Sequence, residues 1–278
     1  MGVFVITGAN SGLGFETARI LASDSLDSTV ILACRDAGRA SVARDVIVEA
    51  TGNTHVIPTQ LDVASLASVR AFAAQIEGPI DALICNAGIS RGPAQTVDGL
   101  DAVFETNHLG HFLLTQLLQD RMSSTGRILV VSSDMHQPPG PALKWPGADA
   151  LAHGAGGGMR YSYSKLSNLY FVYELSRRLH GSDISVAAFN PGLMTETSFA
   201  SVPAPIGAVM KRIFASRVGS LDTSSAALAK LASGTRTIDG LYFDRTASAP
   251  SPSSKLSYDE ENARDLWAVS ERLTRTGD

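Results

Sequence analysis

A tyrosine and a lysine stand four residues apart at Tyr161 and Lys165, and two serines, Ser132 and Ser133, end an apolar run upstream of them. At that spacing a phenol and an ammonium share one face of a helix. We expect the ammonium to lower the pKa of the phenol from about 10 towards neutral pH, because a nearby cation stabilises phenolate. A serine hydroxyl could then hold a carbonyl oxygen while the tyrosine protonates it. These residue types predict the acid of a carbonyl reduction, and the rest of the chain must supply the hydride.

A glycine-rich turn follows the first apolar run, residues 3–6, and opens a segment with helical periodicity. Backbone amides at such a helix start can bind a pyrophosphate, because unpaired N–H groups and the helix dipole point at it. The glycines allow the tight turn and a close approach of the phosphate. Their spacing is G-x-x-x-G-x-G instead of the usual G-x-G-x-x-G. The residues expected at the nucleotide are Gly8, Asn10, Ser11, Gly12, Leu13 and Gly14.

The end of the second apolar run, at Cys34, Arg35 and Asp36, discriminates between cofactors. Dinucleotide-binding folds place an acidic residue there on the ribose 2′-hydroxyl of NAD(H). Cys34 offers no carboxylate, whereas Arg35 can neutralise a 2′-phosphate. The pattern favours NADP(H). Asp36 leaves NAD(H) as the alternative, since a rotated carboxylate at that position could bind the ribose instead.

The elements that must position these residues follow from the alternation of short apolar runs with segments of helical periodicity. Seven strand-like runs predict an α/β fold, a Rossmann-type doubly wound parallel sheet with helices on both faces, built by a single domain over residues 1–278. Right-handed crossovers then place the ligand crevice at the carboxyl ends of the strands, where the polar motifs lie. Residues 135–160, rich in Pro and Gly, are expected to form a long loop near the reactive end, and residues 247–254 a solvated loop.

A second excursion from the pattern is expected over residues 194–222. Within it, residues 205–217 carry an apolar helical stripe flanked by basic side chains. The stripe predicts a lid helix packed over the crevice, and a helix that docks on a membrane surface or a partner is the alternative.

Composition excludes several classes of function. The net charge of -4 over 278 residues argues against a general nucleic-acid binder. No stretch approaches roughly 18 uninterrupted apolar residues, so no integral membrane span is expected. The first strand begins close to Met1 and leaves no room for a signal peptide, and Cys34 and Cys85 lie in apolar runs typical of buried thiols in a reducing compartment. We therefore expect a cytoplasmic protein with neither a disulfide nor a metal site.

In combination, the motifs resemble those of the classical short-chain dehydrogenases/reductases, and the resemblance runs nearly from end to end of the chain. The matching motifs are Thr7-Gly-x-x-x-Gly12-x-Gly14, Leu61-Asp62-Val63, Cys85-Asn86-Ala87-Gly88, Thr106-Asn107-His-Leu-Gly110, Ser133, Tyr161-x-x-x-Lys165 and Pro191-Gly192. The resemblance implies a fold and a cofactor of the kind already expected from the residues.

The resemblance also assigns the remaining cofactor contacts. The residues implied at the adenine and its ribose are Asp62, Val63, Asn86, Ala87 and Gly88. Pro191 and Gly192 are implied beside the nicotinamide carboxamide. The family often has a threonine five residues past the proline, but Glu196 stands at that position here, between Thr195 and Thr197. Either hydroxyl could meet the carboxamide, and Thr195 is the residue we expect there.

The implied catalytic residues are Asn107, Ser133, Tyr161 and Lys165. In relatives the tyrosine gives or takes the proton, the lysine also grips the nicotinamide ribose, and the asparagine keeps a water in a proton relay from the lysine. Tyr163 is excluded as the acid because it lies on a different helix face from Lys165. Ser133 is preferred to its neighbour because the family's serine is normally the second of such a pair.

Stretches at 33–36, 106–112 and 259–267 resemble more narrowly the branch of retinol dehydrogenases and light-dependent protochlorophyllide reductases. The resemblance implies an NADP(H)-dependent oxidoreductase that interconverts a carbonyl and an alcohol on a bulky lipophilic molecule. One alternative is protochlorophyllide-type reduction of a C=C bond, although Ser167 stands where those reductases carry a cysteine. The other is a non-catalytic NADP(H)-binding sensor or scaffold. A homodimer is also expected as an option, through the helices near 101–120 and 161–180 that form dimer faces in relatives.

Overall fold

The carboxyl ends of seven parallel strands meet along one edge of a single sheet in this computed structural model, which describes residues 2–140, 142–192 and 219–275. The strands are β1 (Val3–Thr7), β2 (Thr29–Cys34), β3 (Val56–Gln60), β4 (Ile80–Cys85), β5 (Met122–Val131), β6 (Ser185–Asn190) and β7 (Leu241–Asp244). They pair in the order β3-β2-β1-β4-β5-β6-β7, and every neighbouring pair is parallel. The predicted Rossmann-type sheet is confirmed.

Helices cover both faces of this sheet. The helices are α1 (Gly12–Asp24), α2 (Ala37–Thr51), α3 (Leu66–Gln75), α4 (Ala102–Phe104), α5 (Gly110–Leu118), α6 (Ala148–Ala152), α7 (Arg160–Arg178), α8 (Leu221–Ser233) and α9 (Glu260–Thr274). A π-helical segment, Glu105–Leu109, joins α4 to α5. Helices α1, α2 and α8 pack on one face and α3, α5 and α7 on the other.

The central strands are apolar on both sides because both of their faces are covered, whereas the edge strand β3 is mostly not buried. Successive side chains of a strand point to opposite faces, so Val5 belongs to the core under α3, α5 and α7, and Ile6 to the core under α1, α2 and α8. Both side chains are fully buried. The central strand β1 therefore ends at a fixed height, and its last residue, Thr7, lies at the edge where the polar motifs meet.

The segment 135–160 is not the continuous loop that its Pro and Gly content predicted. It contains α6 and a 3-10 turn, Gly157–Met159. Leu151 of α6 is buried in a third core that α6 shares with α7 and α9. Asp265 of α9 accepts hydrogen bonds from the indole N–H of Trp145 (3.2 Å) and the backbone N–H of Ala148 (2.9 Å). The prediction failed because this helix gains its stability from a partner more than 100 residues away in the sequence.

The second predicted loop, residues 247–254, is only partly solvated. Residues 248–250 are exposed, but Ser254 is 7% exposed, and its backbone N–H donates to Nε2 of His136 over 3.0 Å. Cys34 and Cys85 are buried and not bonded to each other. In the part of the chain that the structure describes, no helix has the length and apolar character needed to cross a membrane. The predicted lid stripe of residues 205–217 and Thr195 lie outside the described residues.

Helix α9 packs against the face formed by α5 and α7, and Trp267 is its central contact. The ring lies 5.0 Å from that of Phe112 and 6.1 Å from that of Phe171, measured between centroids. The guanidinium carbon of Arg178 lies 4.2 Å from the indole centroid. Part of the surface of α5 and α7 is therefore occupied within the chain.

Replacing Trp267 by alanine should lower the free energy of unfolding by about 3–5 kcal/mol, because the change leaves a large cavity between three helices. Urea unfolding followed by circular dichroism measures the loss. Val97→Ala is the matched control, since Val97 is 85% exposed and its truncation should change stability by less than about 0.5 kcal/mol. A Trp267→Ala variant as stable as this control would contradict the packing described here.

Candidate active site

A cavity of about 550 Å³ opens at the carboxyl ends of the strands. It brings together most of the residues predicted from the sequence. Those that line it are Gly8, Asn10, Ser11, Gly12, Leu13, Arg35, Asp62, Val63, Asn86, Ala87, Gly88, Ser133, Tyr161, Lys165, Pro191 and Gly192. Gly14 and Asn107 are not part of the lining and lie behind it.

The glycine turn between β1 and α1 forms one end of the cavity. Gly8 has φ +67°, a conformation that L side chains rarely adopt, and its N–H donates to the carbonyl of Ala33 on β2 over 2.8 Å. Ser11 caps α1 without a side-chain hydrogen bond, so its side chain does not occupy the amides at the helix start. A Cβ atom on Gly14 would lie 2.5 Å from Nδ2 of Asn86, which explains why this glycine serves packing and not lining. The turn fits a pyrophosphate.

The end of β2 presents an arginine to the same cavity. Arg35 lines it and is exposed, whereas Cys34 is 1% exposed and its thiol points into the core. Burial raises the pKa of this thiol to about 11, so it stays neutral. Asp36 caps α2, accepting from the backbone N–H of Arg39 over 2.9 Å, and does not line the cavity. Of these three residues, only Arg35 lines the cavity.

Tyr161, Ser133 and Lys165 form a group at the other end. Tyr161 lies in the first turn of α7, and its hydroxyl is hydrogen-bonded to the side chain of Ser133, which follows β5. Nζ of Lys165 lies 5.5 Å from the centroid of the Tyr161 ring and donates to the carbonyl of Val131 over 3.0 Å. Ser132 turns the other way and donates to the backbone carbonyl of Lys165 over 3.0 Å. Tyr163 lies outside the cavity.

The pKa expected for Tyr161 from the Tyr-Lys spacing was wrong in direction. Removal of the phenol from water raises its pKa, and the hydrogen bond from Ser133 opposes that rise only in part. The same desolvation lowers the pKa of the Lys165 ammonium, which is 4% exposed, to about 8. Spacing shows that two groups are near each other, but not how deeply both are buried. At neutral pH the pair therefore rests as a phenol beside an ammonium.

Asn107 lies in the π-helical segment, and both the oxygen and the nitrogen of its side-chain amide are hydrogen-bonded to other residues of the chain. Oδ1 accepts from the backbone N–H of Ile89 over 2.7 Å, and Nδ2 donates to the carbonyl of Ile89 (2.9 Å) and to Oγ of Ser164 (2.8 Å). Ser164 in turn donates to the carbonyl of Tyr161 over 2.8 Å. The amide thus ties the segment after β4 to the first turn of α7. The role of Asn107 in a water relay stays a prediction.

Sequence reasoning missed several lining residues. They are Ala33, Leu61, Ile89, Ser90, Thr106, Val131, Ser132, Asp134, Met135 and Pro139. Most adjoin a motif that was recognised, so position just past a strand end was the available signal.

Asn190 was also missed, although it is a polar residue at the end of an apolar strand. Its Nδ2 donates to carboxylate oxygens of Asp134 (2.7 Å) and Asp244 (2.8 Å), and its Oδ1 accepts from the N–H of Gly192 over 3.0 Å. One buried amide therefore holds the ends of β5, β6 and β7 together.

Replacing Lys165 by methionine should stabilise the cofactor-free protein at pH 7 by about 1–3 kcal/mol, because the folded state carries a desolvated ammonium whose pKa falls by more than two units. The carbonyl of Val131 keeps a partner, Nδ2 of Asn168 at 3.1 Å. The folded lysine loses its proton near pH 8 and the unfolded one near 10.5, so wild-type stability rises with pH between these values and the gain should shrink.

Urea titrations at neutral and alkaline pH measure this difference. Lys230→Met is the matched control, since Lys230 is exposed and its replacement should leave stability nearly unchanged at both pH values. A Lys165→Met variant that is less stable than wild type at pH 7 would refute the cost assigned to the buried charge.

Comparison with known proteins agrees with this geometry. The family model for short chain dehydrogenases matches residues 2–145. Retinol dehydrogenase 13 of Homo sapiens is 38% identical, over 97% of this chain and 83% of the relative. The WW domain-containing oxidoreductase of Danio rerio is 36% identical, over 98% of this chain and 68% of the relative.

Solved structures show the same fold. A crystal structure of an uncharacterized protein from Mycobacterium Paratuberculosis superposes with a TM-score of 0.79 at 35% identity, covering 99% of this chain and 94% of that one. A short chain dehydrogenase from Burkholderia cenocepacia, in complex with NADP, superposes with a TM-score of 0.69 at 25% identity, covering 89% and 98%. The family binds a nicotinamide cofactor, and the residues of the cavity fit one. The match of the family model and the identity to these relatives show that the chain belongs to the short-chain dehydrogenases/reductases, in the classical, retinol dehydrogenase-like branch, and is an oxidoreductase.

Proposed function

We propose that this oxidoreductase uses NADP(H) to interconvert a carbonyl and an alcohol on a bulky, largely apolar small molecule. The observation that carries the proposal is the hydrogen-bonded pair of hydroxyls from Tyr161 and Ser133, held beside the buried ammonium of Lys165 at the wall of the cavity. Two hydroxyls and one cation are what a developing alkoxide requires.

The phenol of Tyr161 is the proton donor in the reducing direction. Its pKa is raised by desolvation, so it holds its proton at neutral pH until a stronger base, the alkoxide, forms at the substrate oxygen. The proton then passes from the phenol to that oxygen, and the hydroxyl of Ser133 donates a second hydrogen bond to it. The resulting phenolate is stabilised by the ammonium of Lys165, which is largely protonated at pH 7.

The cofactor would lie along the edge of the sheet. The glycine turn and the start of α1 would hold its pyrophosphate, Asp62 and Asn86 would lie at the adenosine, and Gly192 would lie at the nicotinamide end. When bound, a nicotinamide supplies or accepts the hydride at the carbonyl carbon. The chain itself supplies orientation, exclusion of water and the proton.

The preference for NADP(H) is supported by the chemistry at the end of β2. Arg35 presents a guanidinium to the cavity, where it can bind a 2′-phosphate through two parallel hydrogen bonds. Asp36, the residue that would serve a ribose 2′-hydroxyl, is engaged at the start of α2. The Burkholderia relative that carries NADP is consistent with this choice.

The substrate class is supported by the lining beyond the catalytic group. Ile89, Met135 and Pro139 line the cavity and offer little for a charged substrate to bind. We propose a cytoplasmic location on the ground that both cysteines, Cys34 and Cys85, are unpaired thiols.

A screen of lipophilic ketones, aldehydes and alcohols tests the activity, with turnover measured in the dark by the absorbance of NADPH. Consumption of NADPH only under illumination, with protochlorophyllide added as the substrate, would favour the photochemical alternative.

Tyr161→Phe removes one hydroxyl and should lower kcat by at least about a thousandfold while the dissociation constant for NADPH changes less than about threefold, because the phenol acts on the reacting oxygen and not on cofactor affinity. Steady-state kinetics and calorimetric titration measure the two quantities. Tyr163→Phe is the matched control, since that hydroxyl donates to the carbonyl of Lys144 outside the cavity. A Tyr161→Phe variant that keeps its activity would contradict the role of Tyr161 as the proton donor.

Arg35→Ala should raise the KM for NADPH more than about tenfold and the KM for NADH less than about twofold, because only NADPH carries the phosphate that the guanidinium neutralises. Arg39→Ala is the control, an exposed arginine on the same edge that does not line the cavity. Equal effects on the two cofactors would overturn the NADP(H) preference.

A further inference from the structure

The hydroxyl of Thr7, at the end of the central strand β1, binds the backbone of the loop that follows the neighbouring strand β4. Oγ1 of Thr7 accepts hydrogen bonds from the backbone N–H groups of Asn86 and Ala87, each over 2.9 Å. Nδ2 of Asn86 donates to the carbonyl of Thr7 over 2.8 Å. Asn86 and Ala87 both line the cavity, so the position of Thr7 sets that wall. Thr7 itself is fully buried.

The third partner of this hydroxyl is His111, a buried residue of α5 that the family resemblance did not place in the site. Nε2 of His111 lies 2.9 Å from Oγ1 of Thr7, and Nδ1 lies 3.3 Å from the backbone carbonyl of Asn107. A carbonyl can only accept, so Nδ1 carries the hydrogen. Nε2 then has a free lone pair and accepts the hydroxyl proton of Thr7, whose lone pairs are used by the two amides. The carbonyl of Ile84, 3.4 Å from Oγ1, is the more distant acceptor for the same proton.

The neutral imidazole required by this pattern is the stable form. Burial lowers the pKa of His111 to about 4, the hydrogen bond to Asn107 opposes the shift, and the positive charge of Lys165 adds to it. His111 is 1% exposed, so bulk solvent does not reach its imidazole. A single tautomer therefore joins Thr7 to Asn107.

The carbonyl of Asn107, to which Nδ1 of His111 is bonded, lies in a stretch that is not a regular α-helix. Residues Glu105–Leu109 are π-helical, and the N–H of Gly110 donates to the carbonyl of Glu105, five residues back. Such a turn changes which backbone groups pair along the helix, and π segments of this kind are frequent at functional sites. The side chain of His111 bonds to a carbonyl within this turn. From Asn107 the contacts continue through its amide to Ser164 and the carbonyl of Tyr161.

We propose that His111 is a positioning residue that holds the cofactor-binding wall at Asn86 and Ala87 in register with the turn that carries Asn107. The proposal rests on the proposed function, since the two ends are those expected to bind the cofactor and to serve the proton. One end of the imidazole acts on cofactor affinity through Thr7. The other acts on the rate of turnover through Asn107.

Two isosteric replacements separate the two ends. The amide nitrogen of asparagine reaches the position of Nδ1, so His111→Asn keeps the bond to Asn107 and loses the one to Thr7. The terminal amide of glutamine reaches the position of Nε2, so His111→Gln keeps a partner for Thr7 and loses the bond to Asn107. His111→Leu loses both.

Each of the two variants is expected to change a different quantity, cofactor affinity in one and kcat in the other. His111→Asn should weaken binding of the nicotinamide cofactor about five- to tenfold with kcat within about twofold of wild type, as the loss of one buried hydrogen bond allows. His111→Gln should bind cofactor within about twofold of wild type and lower kcat about five- to tenfold. The measurements are calorimetric titration of the full chain with NADPH and NADH, steady-state kinetics with the best substrate of the screen, and thermal unfolding.

His108→Leu is the matched control. His108 lies three residues earlier, is equally buried, and has Nε2 2.9 Å from Oγ of Ser270 in α9, remote from the cavity. Its replacement should lower the unfolding temperature as His111→Leu does, while cofactor affinity and kcat stay within about twofold of wild type.

The proposal is overturned if the Asn and Gln variants of His111 lose only thermal stability, as the His108 control does, or if each of them changes affinity and kcat together. If the wild type turns over no substrate, the proposed function fails instead. Cofactor affinity then decides alone, with weaker binding in His111→Asn than in His111→Gln supporting the proposal and equal binding overturning it.

Discussion

The ammonium of Lys165 is the group around which the reactive end of this fold is built. A cation in the interior costs free energy unless hydrogen bonds replace its water, and here the carbonyl of Val131 takes that place. The return bond from Ser132 to the carbonyl of Lys165 locks the end of β5 to α7. Because those two elements are locked, the hydroxyls of Ser133 and Tyr161 meet at the cavity. The hydrogen bonds of Ser132 and Asn168 hold this geometry independently of the desolvated charge, which lies within it.

Side-chain amides hold the rest of the strand ends in place. Asn86 bonds back to the end of β1, Asn107 grips both backbone groups of Ile89, and Asn190 joins three strands at once. Each amide can donate and accept together, which neither a hydroxyl nor a carboxylate does with the same planar geometry. The edge of the sheet is therefore a bonded network that links the backbone of the cavity wall after β4 to that of α7. Preorganisation of this kind limits the movement needed when charge develops at the substrate.

Much of this arrangement could be predicted from the sequence, because strand period and motif position are local properties. The sheet, the cavity edge, Arg35 at the cavity and the choice of Tyr161 over its neighbour all follow from spacing. Spacing does not show how deeply a group is buried. The pKa of Tyr161 is raised instead of lowered, because burial outweighs the charge nearby. Contacts between distant segments were equally out of reach, as with α6, which is held by α9, and with Ser164, which bonds to Asn107 more than 50 residues away in the sequence.

The packing of α6 on α9 has a consequence for how the region between Ser133 and Tyr161 can change in evolution. Asp265 bonds to Trp145 and to the start of α6, and Leu151 shares a core with α9. The segment between Ser133 and Tyr161, part of which lines the cavity, therefore depends on α9 for its packing, although the two are far apart in sequence. A chimera that exchanges this segment between relatives would need the matching face of α9 as well.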